Sequence, residues 1–386
     1  MQALSITLTN LRALPARWGS AVVVVIGVAG VVAVLTSVLT MAIGLTNTTV
    51  GGAREGWAVV VRDGAFAESL SALPREAVIA VEDAPGIQRR ADGSLAIERQ
   101  YIEATTLFRQ SDPNLSASVA IRGLDSQALQ GLSGFQLTAG RMFATGKREL
   151  IAGTLGAGAY QGLEIGSEVV IKGANWTVVG HFKAPGTPQE SELLADLTTL
   201  MGAVNRTAFS SLRVQLVDEE ALAGFAQALE DDPRAKVEAQ WEADYFATNN
   251  TGAIIGFIAY VVSSIMAVGA LFGALNVMYT AVAARTKEIA TLRALGFARR
   301  SVMISVLGEA LLLGLIGALV GVAICVAMFH GTTFTTASIN SVTAELTVTP
   351  GLAATGVVWG LVIGLIGGLF PAVSAARSSI TSGLRS

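Results

Sequence analysis

The sequence predicts an α-helical membrane protein of four transmembrane helices, with a large mixed α/β extracytoplasmic domain inserted between the first and the second. Three observations lead there. The 386 residues are 52% hydrophobic and only 14% charged, too apolar for an ordinary water-soluble protein. Four apolar runs each reach the roughly 20 residues that a bilayer core requires. A single polar stretch, Thr46 to Asn250, separates the first run from the other three.

Residues 1–19 carry Leu4, Leu8 and Leu11 at helical spacing, with Leu14 one turn on, before Pro15 stops the pattern. That predicts an interfacial helix on the cytoplasmic leaflet, the alternative being the first turns of a longer span. Residues 20–45 form the first expected transmembrane helix. Their uncharged run is longer than the roughly 7 to 15 apolar residues of a signal peptide, which favours an anchor.

Residues 46–250 are polar enough to fold in water. Alternation predicts strands at Trp57–Arg62, Glu168–Ile171, Trp176–Val179 and Leu212–Val217, and Asp218–Glu230 reads as a helix after an acidic start. Residues 251–284 are expected as the second transmembrane helix. At about 1.5 Å per residue it would exceed a hydrocarbon core of about 30 Å, so part of it should project as a stalk. A cytoplasmic helix over 285–300, a third span over 301–330, a short extracytoplasmic loop over 331–349, a fourth span over 350–376 and a cytoplasmic tail over 377–386 complete the expected order.

Orientation follows from the short flanks. Arg12 and Arg17 precede the first span, a basic segment separates the second from the third, and Arg377 and Arg385 follow the fourth. Gly331 to Thr349 contains neither Lys nor Arg. The positive-inside rule then places both termini and the 285–300 segment in the cytoplasm and the large insert outside.

The segment RTKEIATLRALGFARR, Arg285 to Arg300, is the most informative part of the chain. As a helix it sets Ile289, Leu292 and Leu295 at three-residue spacing, with Arg285, Lys287, Arg293, Arg299 and Arg300 as its positive charge and Gly296 as a C-cap. It reads as a helix on the cytoplasmic face shaped to be gripped by another protein. Within the spans, Gly269 with Gly273, Gly317 with Gly321 and Gly364 with Gly368 have the spacing that lets helices approach closely in lipid, although glycine is common in membrane helices anyway. Glu309 is an intramembrane carboxylate, expected to hold a neighbouring helix or a basic residue such as Arg300 rather than to relay protons. Asn276 is expected to bond one helix to another.

Other chemistry is excluded. Twenty-six basic residues against twenty-nine acidic ones give no charge excess for nucleic acid. Cys325 stands alone, and His181 and His330 have no ligand cluster around them, so neither a disulfide nor a metal site is expected. GRMFATGK at Gly140–Lys147 imitates a phosphate loop, but five residues separate its glycines where four are required, and Arg148 takes the Ser/Thr position. No hydrolase triad or paired-carboxylate motif stands out, so the chain is not expected to be an enzyme.

KEIATLRALGFARRSV at Lys287–Val302, GEALLLGLIGALVG at Gly308–Gly321 and the ending FPAVSAARSSITSGLRS from Phe370 resemble the MacB/FtsX-like permease subunits of ABC transporters. FQLTAGRMF at Phe135, LEIGSEVVIKGANWTVVGHF at Leu163 and SELLADLTTL at Ser191 carry the resemblance into the insert, and Val50–Arg122 matches least. The resemblance implies a homodimeric inner-membrane permease bound to two copies of an ATPase subunit, which would hold the ATP and Mg. Arg285, Lys287, Glu288, Ile289, Leu292, Arg293, Leu295 and Gly296 would form the ATPase-coupling element. The first two spans would act as stalks that pass motion to the periplasmic domain. That implies export of a peptide, drug, lipid or lipoprotein, with a periplasmic adaptor and an outer-membrane channel as further partners. The alternative is a signalling module of the same architecture that drives a cell-wall hydrolase or a sensor. A stand-alone ion-coupled carrier would need inverted repeats and midplane charges, and the sequence has neither.

Overall fold

The computed structural model describes residues 18–125, 128–129, 131–248, 251–284, 286–295, 298–336 and 342–377. The helix expected before Trp18 lies outside them. In chain order the helices are α1 (Trp18–Val50), α2 (Arg75–Asp83), α3 (Thr154–Ala159), α4 (Leu197–Ala203), α5 (Ala221–Asp231), α6 (Glu242–Thr248), α7 (Thr251–Ala284), α8 (Thr286–Ala294), α9 (Arg299–Phe329) and α10 (Pro350–Arg377). The strands are β1 (Trp57–Arg62), β2 (Ile97–Phe108), β3 (Ser116–Leu124), β4 (Gln136–Gly140), β5 (Glu149–Gly153), β6 (Glu168–Ile171), β7 (Ala174–Lys183), β8 (Leu193–Asp196), β9 (Ser211–Gln215), β10 (Val237–Trp241), β11 (Thr332–Thr335) and β12 (Thr343–Leu346). The chain divides into two compact units. One holds the long helices, and the other comprises Ile43–Ala253 together with Thr333–Glu345.

In the helical unit, α1, α7, α9 and α10 are each long and apolar enough to cross a membrane. The first helix continues five residues past Leu45. Thr48 and Thr49 donate their hydroxyls to the carbonyls of Gly44 and Leu45 at 2.9 Å, so these polar residues are accommodated without ending it. Packing depends on missing side chains. A Cβ on Gly314 would lie 2.7 Å from the Gly360 carbonyl oxygen, and one on Gly368 would lie 2.3 Å from the Ala310 Cβ, so α9 and α10 meet nearly backbone to backbone. Gly317 and Gly321 do the same against α1, where a Cβ would come 2.8 Å from Val28 and 2.6 Å from the Ala29 oxygen. Gly364 faces the Ala310 oxygen at 2.8 Å.

Gly269 and Gly273 differ from that expectation: a Cβ on either would meet open space. They lie on α7, the least covered of the four helices. Only 11% of its apolar stretch is buried, against 44% in α1 and α10 and 33% in α9. Spacing alone cannot say which face of a helix finds a neighbour.

The second unit is built on one continuous sheet in the order β10-β1-β9-β2-β3-β8-β5-β7-β4, with β6 paired to β7. Strand β2 joins its halves: Ile97–Gln100 pair with β9 and Tyr101–Phe108 pair with β3, both antiparallel. The β3·β8 and β5·β7 pairs are parallel. On one side of β2, Val60, Leu212 and Val214 bury against Val81 of α2 and Phe225 and Leu229 of α5. On the other, Val119, Ile121, Leu150 and Trp176 bury with Leu200 of α4.

Strands β1 and β6 have the bounds read from the sequence; β6 is half covered and keeps a period of two, whereas β1 is buried at all of Ala58–Val61. The helix expected from Asp218 begins at Ala221, whose N–H is capped by Asp218 Oδ1 at 2.8 Å. Residues 331–349 are more than a short loop. They carry the β11–β12 hairpin, and Thr333–Glu345 belong to the sheet unit.

Candidate functional site

The basic segment folds as α8 between α7 and α9. Arg285 and Gly296 lie outside the described residues, as do the side chains of Glu288, Leu292 and Arg293. Lys287, Arg299 and Arg300 are exposed. The expected apolar stripe divides. Ile289 is buried in the core of the helical unit beside Val302 and Val306, whereas Leu295 is 73% exposed. Six residues of helix at about 100° each leave these two about 120° apart, so a single face cannot hold both. Ile289 therefore anchors the helix, and Leu295 is the apolar side chain it presents outward.

Glu309 is buried in α9 at 7% exposure and is engaged with a partner. Asn276 is exposed on α7.

The largest cluster of chemistry is one that the sequence reading missed. Seven charged side chains in the sheet unit form a continuous ionic chain, Glu192–Arg122–Glu68–Arg213–Glu242–Arg54–Glu98. Arg122, on β3, grips Glu192 with two bonds of 2.6 and 2.8 Å and reaches Glu68 at 2.8 Å and Gln100 at 2.6 Å. Glu68 also accepts from Arg213, on β9, which lies 3.0 Å from Glu242. Glu242, the first residue of α6, takes the backbone N–H of Arg54 at 2.9 Å and its guanidinium at 3.3 Å. Arg54 completes the chain with a forked pair to Glu98, on β2, at 2.9 and 3.0 Å.

Sheet register assembles this chain. Glu98 stands directly opposite Arg213 across the β2·β9 ladder, and Arg122 is opposite Ile102, placing it beside Gln100. Six of the seven side chains are less than a tenth exposed, and Arg54 is 19% exposed. Three arginines against four glutamates leave one excess negative charge. Burial pushes the Glu98 carboxyl up despite Arg54 beside it. Burial also opposes ionisation of Glu68, but Arg213 and Arg122 outweigh it and hold its carboxyl below the usual range. Burial likewise works against the Arg122 cation, yet Glu192 and Glu68 raise its pKa. Removing one member of such a network costs about 3–5 kcal/mol because the partner charge stays behind uncompensated.

The chain members come from positions 54 to 242, none at helical spacing with another, so no local window contains the cluster. The available signal was the run Glu98, Arg99 and Gln100, three consecutive polar residues set between Ile97 and Tyr101–Ile102 in β2. Position matters here too. Arg54 lies four residues beyond the end of α1, and Glu242 lies nine residues before α7 begins.

Comparisons with known proteins agree in the two halves of the chain. The model of the MacB-like periplasmic core domain matches residues 20–232, and that of the FtsX-like permease C-terminal domain matches residues 260–380. The chain is 24% identical over 238 residues to the macrolide export ATP-binding/permease protein MacB of Bdellovibrio bacteriovorus, covering 57% of this chain and 36% of that protein. It is 26% identical over 256 residues to the MacB protein of Hyphomonas neptunium, covering 61% and 38%. The chain thus matches little more than a third of the length of these relatives. Among solved structures, the periplasmic region of MacB from Actinobacillus actinomycetemcomitans aligns at 12% identity and a TM-score of 0.37, covering 52% of this chain and 96% of that one.

Proposed function

From the membership of this chain in the MacB/FtsX-type permease family of ABC transporters, we propose that it transmits the ATP-driven motion of a separate ATPase subunit to its extracytoplasmic domain. The work done is export or extrusion of a substrate, in the classes of peptide, drug, lipid or lipoprotein. The ATPase subunit holds the ATP and Mg and carries out hydrolysis. The permease sits in the inner membrane with both termini in the cytoplasm, as the distribution of Lys and Arg in the short flanks requires.

The observation that carries this reading is the ionic chain. Arg54 follows α1 directly in sequence, Glu242 precedes α7, and both are bound into one buried network with β2, β3 and β9. Motion that reached Arg54 or Glu242 would break buried ion pairs inside the sheet unit, and a pair broken on one side is costly. At the other end, Leu295 and the exposed Lys287, Arg299 and Arg300 supply an apolar contact ringed by charge, suited to an ATPase groove.

The open face of α7 supports a homodimer. Phe257, Ile265 and Phe272 are 71%, 69% and 67% exposed, and Gly269 and Gly273 leave room for a second helix. A periplasmic adaptor and an outer-membrane channel fit the same reading.

Affinity purification of the tagged full chain from its native membrane in mild detergent tests it. The expected result is recovery of an ABC ATPase with the permease, and an adaptor alongside it. Recovery of the ATPase with a cell-wall hydrolase instead would replace export by signalling, and no ATPase at all would overturn the reading.

A further inference from the structure

The β11–β12 hairpin belongs to the sheet unit, yet both its ends continue into long helices. β11 starts three residues after α9 ends, and β12 ends four residues before α10 begins. Its two feet are drawn together where they leave those helices. The Gly331 N–H donates to the Leu346 carbonyl at 2.9 Å, and the Val348 N–H donates to His330 Nδ1 at 3.4 Å. Farther along, the Thr336 N–H donates to the Val342 carbonyl at 2.9 Å, and the Thr335 and Thr343 hydroxyls lie 3.0 Å apart. Thr343, Ala344 and Leu346 are buried.

Ser191 receives this hairpin, its hydroxyl bridging the N–H and the carbonyl of Thr343. Ser191 is itself held in place. The Gly153 N–H donates to the Glu192 carbonyl at 3.0 Å, and a Cβ on Gly156 would come 2.8 Å from the Ser191 carbonyl oxygen, so the turn rests on backbone and not on movable side chains. The next residue, Glu192, is the end of the ionic chain and is gripped twice by Arg122. One step of sequence therefore separates the dock of the hairpin from the network that also holds Arg54 and Glu242.

At the other end, α8 directly precedes α9, and Ile289 buries with Val302 and Val306. α9 and α10 close on each other through Gly314, Gly360 and Gly364. Packing of this kind leaves little side-chain freedom in which a displacement can be absorbed.

We propose that the α9–α10 pair is a second route into the sheet unit, running from α8 through the hairpin and Ser191 to Glu192 and Arg122, beside the direct route through α1 and α7. As a path for ATP-driven motion it rests on the function proposed above. The coupling is a property of the chain alone. Energetic coupling defines such a route, and it is measurable without an ATPase.

The full chain in lipid nanodiscs is followed by hydrogen exchange. Gly360→Ala and Gly364→Ala each press a methyl group on α9, since a Cβ would lie 2.5 Å from the Ala318 Cβ and 2.8 Å from the Ala310 oxygen, respectively. Either variant should accelerate exchange at Thr343–Leu346 and at Leu193–Asp196 by at least about threefold, while α5 in the other half of the sheet keeps its wild-type rate. In a Ser191→Ala background, the glycine substitutions should still accelerate Thr343–Leu346 but should no longer change Leu193–Asp196. Exchange at Leu193–Asp196 that ignores both glycine variants, or that responds equally with and without Ser191, would overturn the proposal. So would a uniform acceleration that includes α5. Any of these results would leave the permease reading standing, just as failure to recover an ATPase would leave this coupling intact.

Discussion

The Ser191 hydroxyl both donates to the Thr343 carbonyl and accepts from the Thr343 N–H, at 2.9 Å each, across 152 positions of sequence. Both residues are fully buried. One side chain thereby fixes the β12 strand, which lies between the third and fourth long helices, to the turn that precedes β8 in the sheet unit.

Ser191→Ala should free that strand. Two buried backbone groups would lose their partner, a cost of about 1–3 kcal/mol. Hydrogen exchange should accelerate at Thr343–Leu346 and remain slow in β7. Unchanged exchange at Thr343 would mean that the hairpin is held by other contacts.

Arg122→Met should destabilise the sheet unit by about 3–5 kcal/mol, since Glu192 and Glu68 would keep their charges in a buried site. Adding Glu192→Met should restore part of the loss. Chemical denaturation of the single and double variants measures the coupling, and simple additivity would count against a connected network.

Acid should weaken the sheet unit for an identifiable reason. Glu149, bonded to Arg141 and to the Ala144 N–H, has its carboxyl drawn down to about 2 from an ordinary 4.5, and Glu68 is lowered as well. A carboxyl with a lowered folded pKa contributes stability above its unfolded value and loses it as pH falls toward the folded one. Melting temperature should therefore decline from about pH 4.5 downward. Glu98, pushed up by burial, acts in the opposite sense and favours the fold at lower pH. Arg141→Gln should flatten the part of the decline that belongs to Glu149.

Leu295→Asp and Ile289→Asp should separate coupling from folding. The first alters an exposed side chain and should leave melting unchanged while weakening ATPase association by about 2 kcal/mol. The second puts a charge into the helical core and should destabilise the unit itself. Full ATPase binding and normal transport by Leu295→Asp would remove α8 from the coupling role.

Gly314→Val and Gly273→Val should behave differently although both change a helical glycine. Gly314 faces the Gly360 backbone, so a larger residue must force α9 and α10 apart, whereas Gly273 faces open space. The second variant should fold normally and lose self-association, read by cross-linking in membranes. A dimer that tolerates Gly273→Val would place the homodimer contact elsewhere.

The sequence by itself determined the four long helices, the inserted α/β domain, and strands such as β6. Each of these is written in a local pattern: a run of apolar residues as long as a bilayer is thick, or alternation across a half-covered strand. Within the basic segment expected as one helix over 285–300, α8 covers Thr286–Ala294 and Arg299 already belongs to α9. Tertiary structure alone decided which faces of those helices find partners, so Gly317 and Gly321 pack while Gly269 and Gly273 do not, and Ile289 turns inward while Leu295 turns out. It also decided the ionic chain and the docking of Thr343 on Ser191. Those depend on strand register and on contacts between residues far apart in sequence, and no local window of a sequence encodes which distant residue will stand opposite.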